Sequence, residues 1–238
     1  MKTIKDLKIK IFLDGAGIED IKKMSGLDYI KGFTTNPTLM KKAGVANYEK
    51  FLSDILPLAK EKPISFEVIS DDFNEMKAQA VKLSEFGDNV FVKIPITNTK
   101  GYSSLSIIND LTQSGVKVNV TAMMNPRQVQ DLIRTVSPKA PMILSIFAGR
   151  IADTGIDPVP IMRECHSLLK SFKNAELLWA SPRELLNIFQ AEGAGCDIIT
   201  VPPEILAKLN LIGYDLNNYS LDTVKQFYND AVSSGLAL

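Results

Sequence analysis

One histidine, His166, and two cysteines, Cys165 and Cys196, are all that a chain of 238 residues holds of those types. A zinc centre draws three or four ligands largely from such residues, and a Ser-His or Cys-His nucleophile needs a histidine beside it. The lone histidine lies in Pro160 to Ser171, a stretch of helical period that ends in a polar, lysine-bearing turn, so it reads as part of a helix surface. The cysteines show no paired spacing, and the N-terminus is charged from Lys2 onward with no apolar signal core. A reducing, cytoplasmic setting is therefore expected. Net charge is missing too. The 27 Lys and Arg residues are matched by 27 Asp and Glu, leaving no global field to gather nucleic acid or anionic lipid. No apolar run approaches the roughly 20 residues that span a bilayer, so neither a nucleic-acid partner nor a membrane helix is expected. If the protein is an enzyme, lysine and carboxylates must carry its proton and covalent work.

What is present is a large apolar share, 45% hydrophobic against 23% charged residues, with no low-complexity linker and no composition break. Short β-branched runs alternate with stretches of helical period, the pattern of βα units around a parallel sheet. Strands are predicted near Lys8 to Leu13, Tyr29 to Thr34, Ile64 to Val68 and Val90 to Ile94. Four more follow near Lys117 to Thr121, Met142 to Phe147, Glu176 to Ala180 and Asp197 to Thr200. Helical spacing recurs in Phe73 to Phe86, Tyr102 to Ser114, Pro126 to Val136 and Pro158 to Phe172. Eight strands favour an α/β fold of the closed (β/α)8 TIM-barrel type, a single domain over residues 1–238, with an open doubly wound sheet as the alternative. The first βα turn, Asp14-Gly15-Ala16-Gly17, lacks the third glycine of the dinucleotide fingerprint. After the eighth strand a short helix is expected from Pro202, then a polar loop from Gly213 to Ser220. A last amphipathic helix, Leu221 to Val232, would cap its own barrel or pack on a neighbouring subunit.

Barrel active sites form where strands end, and here nearly every strand ends on a polar residue. The ends read Asp14, Thr34-Thr35-Asn36, Glu67, Lys93, Thr121, Ser145 with Arg150 beyond, and Ser181 with Arg183. Lys93 interrupts Val90-Phe91-Val92-Lys93-Ile94-Pro95, otherwise a fully buried strand. Apolar walls disfavour an ammonium there, which suits an amine nucleophile; an edge-strand lysine, with Pro95 in support, is the other reading. Glu67 is either a proton shuttle beside that amine or a solvated strand residue. Asp14 could move the proton of a substrate hydroxyl, or simply cap a helix. Asn36 before Pro37 reads as a helix start, with Thr35 and Asn36 as substrate-binding candidates. Ser181-Pro182-Arg183-Glu184 matches a capping box, whose free amides, serine and arginine would also suit a phosphate, with Arg150 as a second guanidinium.

Taken in order, IFLDGAG, GFTTNPTL, FEV, VFVKIPIT, VNVTAM, SIFAGRI, WASPREL and AGCDIITVPPEIL resemble the transaldolase family over nearly the whole chain. The resemblance implies a barrel whose fourth strand bears a Schiff-base lysine, Lys93, with sugar phosphates as substrates. It implies Asp14 as acid/base, Glu67 and Thr121 as holders of a catalytic water, and Asn36 and Ser145 as holders of the donor fragment. Arg150, Ser181 and Arg183 would bind the phosphate. The iminium nitrogen is the electron sink, so neither metal nor organic cofactor is implied. Fructose-6-phosphate aldolases, the relatives of different activity, typically carry Gln in place of Glu67 and Tyr in place of Phe147, and Pro182 stands where the family usually has an aromatic residue. A lyase and a non-catalytic sugar-phosphate binding protein are the rival functions. Small members assemble as homo-oligomers, for which Leu221 to Val232 is the implied contact.

Overall fold

The structure, a computed structural model, describes residues 4–235; the charged N-terminus noted from Lys2 lies partly outside them. Eight parallel strands close into a barrel in sequence order. They are β1 Lys10–Asp14, β2 Ile30–Thr34, β3 Ile64–Glu67, β4 Val90–Pro95, β5 Val118–Met123, β6 Met142–Ile146, β7 Ala175–Trp179 and β8 Ile198–Val201. Each expected strand is found, with ends shifted by one or two residues, and closure excludes the open sheet. The helices are α1 Ile18–Ser25, α2 Pro37–Lys42, α3 Tyr48–Ala59, α4 Phe73–Ser84, α5 Leu105–Gln113, α6 Pro126–Thr135, α7 Ala148–Ala152, α8 Pro158–Leu169, α9 Leu186–Gly193, α10 Pro203–Leu206 and α11 Leu216–Ser234.

Alternation along the strands sorts two cores. Outward residues such as Leu13, Phe33, Phe66, Val92 and Leu144 pack beneath the helices in the main core. Inward residues Phe12, Phe91, Ile143, Leu178 and Ile198 fill the barrel axis, with Phe147 packed above them. Gly32 makes this filling possible, because a Cβ there would stand 2.6 Å from the Phe12 ring. Two residues further along the same inward phase come Asp14, Lys93, Ser145, Ala180 and Thr200, while β3 and β5 supply Ser65 with Glu67 and Asn119 with Thr121. One periodicity thus builds an apolar floor and a polar end on the same strands.

Several local expectations are corrected. β4 pairs with both β3 and β5, so Lys93 is not on an edge, and Pro95 sits at the last strand position. α1 is capped at Gly17, so Asp14 caps nothing. The short helix after β8 begins at Pro203, with Pro202 as its cap. The polar loop expected to Ser220 is instead helix from Leu216, because the Asp215 carboxylate accepts from Asn218 N at 3.0 Å and starts α11 five residues earlier than the apolar pattern does. α11 buries none of its residues, and Leu221, Val224, Phe227, Tyr228 and Val232 are exposed along it.

Candidate active site

At the C-terminal end of the strands lies a cavity of about 490 Å³, within the range of small-molecule sites. Asp14, Asn36, Glu67, Lys93, Thr121, Ser145, Arg150 and Ser181 line it, together with Thr34, Phe147 and Thr200.

Register brings the reactive groups together. Glu67 on β3 is the pairing partner of Lys93 on β4, and their side chains meet with Nζ 3.1 Å from Oε2. Nζ also donates to the Thr35 carbonyl at 2.8 Å. Lys93 is buried, so its ammonium has exchanged water for these two acceptors, and the nearby carboxylate can receive its proton.

Asp14 ends β1 opposite Thr34. Burial pushes its carboxyl above the ordinary aspartate value, while the Lys93 charge and the Thr34 hydrogen bond pull it back down. Thr34 Oγ1 donates to Asp14 Oδ1 at 2.8 Å and lies against Thr200 Oγ1 in a close hydroxyl contact. A hydroxyl has one proton, so if Thr34 gives its own to Asp14, Thr200 must be the donor to Thr34. The chain then runs Thr200 to Thr34 to Asp14.

A second polar thread crosses the barrel. Ser145 Oγ donates to Asn119 Oδ1 at 2.7 Å, and Asn119 Nδ2 donates to Ser65 Oγ at 3.1 Å. Beyond Asn119 β5 is irregular: its register against β6 shifts between Val120 and Met123, and Ala122 takes φ +61°. Such a bulge re-aims a side chain. Here it brackets Thr121, whose buried Oγ1 has no hydrogen-bond partner among the described residues.

The remaining candidates divide. Asn36 is the α2 cap, its Oδ1 accepting from Leu39 N at 2.9 Å, yet it also lines the cavity, so cap and site coincide. Thr35 points elsewhere: its hydroxyl donates to the Ser65 carbonyl, and only its backbone oxygen reaches Lys93. The capping box is not formed. α9 starts at Leu186, and the amides of Arg183 and Glu184 donate to Asn187 Oδ1 rather than standing free. Arg150 stacks on Phe147, its Cζ 5.7 Å from the ring centroid. Arg183 does not line the cavity; Asp153 holds it. Asn119 and Thr200 went unmarked in the sequence. An asparagine inside a β-branched run, depleted in strands, was the available signal for Asn119; Thr200 had none apart from the inward phase.

A closed α/β barrel thus gathers a buried lysine, two carboxylates and several hydroxyls at the C-terminal end of its strands, the end where barrel enzymes place their active sites. The comparisons make this specific: residues 11–236 match the family model described as Transaldolase/Fructose-6-phosphate aldolase, and the chain belongs to that family. It is 33% identical over 203 residues to a probable transaldolase of Nitrosopumilus maritimus, covering 84% of this chain and 87% of that one. A probable transaldolase of Dehalococcoides mccartyi is 35% identical over 202 residues, covering 84% and 90%. Among solved structures, dihydrodipicolinate synthase from Rhodopseudomonas palustris matches with a TM-score of 0.54 at 11% identity, covering 98% of this chain and 82% of that one. That likeness speaks to the fold alone.

Proposed function

We propose that the chain, acting as one domain, is a Schiff-base transaldolase that carries a dihydroxyacetone unit from a ketose phosphate to an aldose phosphate. The observation that carries this reading is the buried Lys93 amine, 3.1 Å from the Glu67 carboxylate, in one cavity with Asp14.

Glu67 takes the ammonium proton, and the free amine adds to the ketone carbon of the donor. The carbinolamine then loses water, with Glu67 returning the proton and the Thr121 hydroxyl holding the water against it. Asp14 removes the proton from the hydroxyl on the carbon beyond the bond to be broken. That bond cleaves, its electron pair flows to the iminium nitrogen, an aldose phosphate departs, and an enamine remains on Lys93. A carboxyl whose proton affinity is raised by burial suits a group that must take a proton and give it back. The enamine attacks the acceptor aldehyde, Asp14 protonates the new alkoxide, and hydrolysis frees the product. The Asn36 amide nitrogen and the Ser145 hydroxyl hold the donor fragment, Arg150 and Ser181 take the phosphate, and Thr35 acts through its carbonyl on Lys93. Glu67 and Phe147 favour transfer over simple cleavage, since the aldolase relatives typically differ at both positions. The exposed apolar row of α11 is where a second copy of the chain would pack.

The test is intact-mass spectrometry after borohydride reduction with fructose 6-phosphate. Wild type should gain one reduced three-carbon adduct and folded Lys93→Ala none. Erythrose 4-phosphate added before the borohydride should discharge the adduct into a new ketose phosphate. A folded wild type without adduct rejects the mechanism, and free dihydroxyacetone released without an acceptor would mark a lyase.

A further inference from the structure

A shift of register sets the neighbour of Asp14. With Ile11 opposite Ile30, a regular pairing of β1 and β2 would place Phe33 beside Asp14; the shift between Ile11 and Phe12 inserts one extra residue in β2, and the partner becomes Thr34. Bulges of this kind re-aim side chains next to active sites. Phe33 then joins the main core, and Thr34 lines the cavity. Thr34 makes two contacts with β1 and the residue after it. Its backbone oxygen accepts from Gly15 N at 3.0 Å, and its hydroxyl donates to Asp14 Oδ1 at 2.8 Å. Lys93 Nζ reaches Glu67 and the Thr35 carbonyl rather than Asp14. Among the described residues, the Thr34 hydroxyl is therefore the one hydrogen-bond donor to this carboxylate, and Oδ2 has none.

Thr200 completes the arrangement from the other flank. It lies on β8, which pairs with β1 on the side away from β2, and its hydroxyl reaches past β1 to lie against that of Thr34. Both threonines are buried. Since Thr34 gives its single proton to Asp14, Thr200 is the donor to Thr34. A hydroxyl that accepts one hydrogen bond while donating another is polarised into a stronger donor. Two effects on Asp14 follow. A hydrogen bond to the ionised carboxyl favours that form and so opposes the rise in proton affinity that burial causes. With a donor already on Oδ1, a proton arriving at Asp14 sits on Oδ2. The other charges acting on the carboxyl are Lys93 on β4, which lowers its proton affinity, and Glu204 on α10 and Glu67 on β3, which raise it.

We infer that Thr34 and Thr200 are positioning residues for Asp14: Thr200 orients the Thr34 hydroxyl, which fixes Oδ1 and leaves Oδ2 as the oxygen that exchanges a proton with substrate. This role rests on the proposed function for the substrate hydroxyl that Asp14 serves. The two-hydroxyl brace itself is measured on the resting protein.

The readout is the Asp14 carboxyl carbon, followed by NMR over the pH range in which the full chain stays folded, with isotope-labelled aspartate and the signal assigned by its loss in Asp14→Asn. Circular dichroism confirms the fold of each variant. Valine keeps the branched shape of threonine without the hydroxyl. Thr34→Val should move the titration midpoint to higher pH, because the ionised carboxyl loses its hydrogen bond. Thr200→Val should move it the same way by less, since Thr34 still donates but is no longer polarised. The double variant should move it no further than Thr34→Val alone. Thr34→Ser and Thr200→Ser keep the hydroxyls and should titrate as wild type. In turnover, kcat should fall about tenfold in Thr34→Val, the loss expected when a hydrogen bond to a charged group is removed, with KM within about twofold. The acid limb of kcat/KM should move to higher pH together with the midpoint. An unmoved or lowered midpoint in Thr34→Val overturns the inference. So does Thr200→Val titrating as wild type, or a double variant that moves further than Thr34→Val, which would give Thr200 its own route to Asp14. If Thr34→Val does not fold, Thr200→Val against Thr200→Ser decides. A missing borohydride adduct, by contrast, counts against the Schiff-base mechanism and leaves the brace to the titration.

Discussion

Two lysine–glutamate pairs bridge strands of this barrel, one at each end. Lys10 on β1 meets Glu176 on β7 at 2.6 Å with the side chains 50% and 38% exposed; Lys93 meets Glu67 at 3.1 Å with 7% and 17% exposed. The outer pair is shorter, yet water solvates and screens it, so it contributes at most about 1 kcal/mol. The inner pair has given up most of its water, and desolvation of two charges can exceed their attraction. Distance alone would rank the two wrongly. The costlier pair is the one placed where chemistry can use a proton exchanged between amine and carboxylate.

Breaking the inner pair should have the largest effect. Lys93→Met keeps the stem and removes the amine; turnover should fall by at least about 10⁴-fold, as for loss of a covalent nucleophile. It also strands the Glu67 carboxylate, so Lys93→Met with Glu67→Gln should unfold at higher denaturant than Lys93→Met alone. If the double variant is the less stable, the pair is a structural asset and the comparison fails.

Glu67→Gln comes next. Without a proton shuttle, turnover should drop by about 10²- to 10³-fold, and the borohydride adduct should still form at long incubation, because Lys93 remains. An adduct that forms at the wild-type rate would remove Glu67 from the proton relay.

Asp14 sharpens the comparison through pH. Burial raises its folded pKa above the unfolded value. Its contribution to stability is therefore complete below the ordinary aspartate range and is lost as pH rises through the raised value. Asp14→Asn escapes that loss, so its melting temperature should exceed that of wild type at neutral and higher pH, with the advantage shrinking as pH falls towards the ordinary aspartate range. Turnover should be lost at every pH. A melting difference that does not vary with pH would mean the carboxylate is not strained by its site.

The same contrast explains what could be read in the sequence. Lys93 was legible because a single charge in a run of apolar, β-branched residues has few innocent explanations, and the strand ends were legible because polarity changes there. Thr34 and Thr200 were not, because threonine is ordinary in a strand. Only closure of the barrel, which sets β1 against both β2 and β8, brings the Thr200 hydroxyl against that of Thr34 and so links it to Asp14. The Asp153–Arg183 pair spans two loops and leaves no periodic trace, while the serine, glutamate and proline around Ser181 satisfied a capping pattern that the backbone does not adopt. At α11 the apolar spacing was visible, but it begins later than the helix, whose start is fixed by Asp215.

The smallest expected effect belongs to the outer pair. Lys10→Ala removes a charge that water replaces, leaving Glu176 partly exposed and free to hydrate, so the change in unfolding free energy should stay within about 1 kcal/mol and shrink further as salt is added. Turnover should match wild type, since Lys10 lies at the opposite end of β1 from Asp14, where the inward residues form the apolar floor. Denaturant unfolding at low and high ionic strength checks it. A loss comparable to that from Lys93→Met would show that exposure is not what separates the two pairs, and the inner pair would then need an account other than its burial.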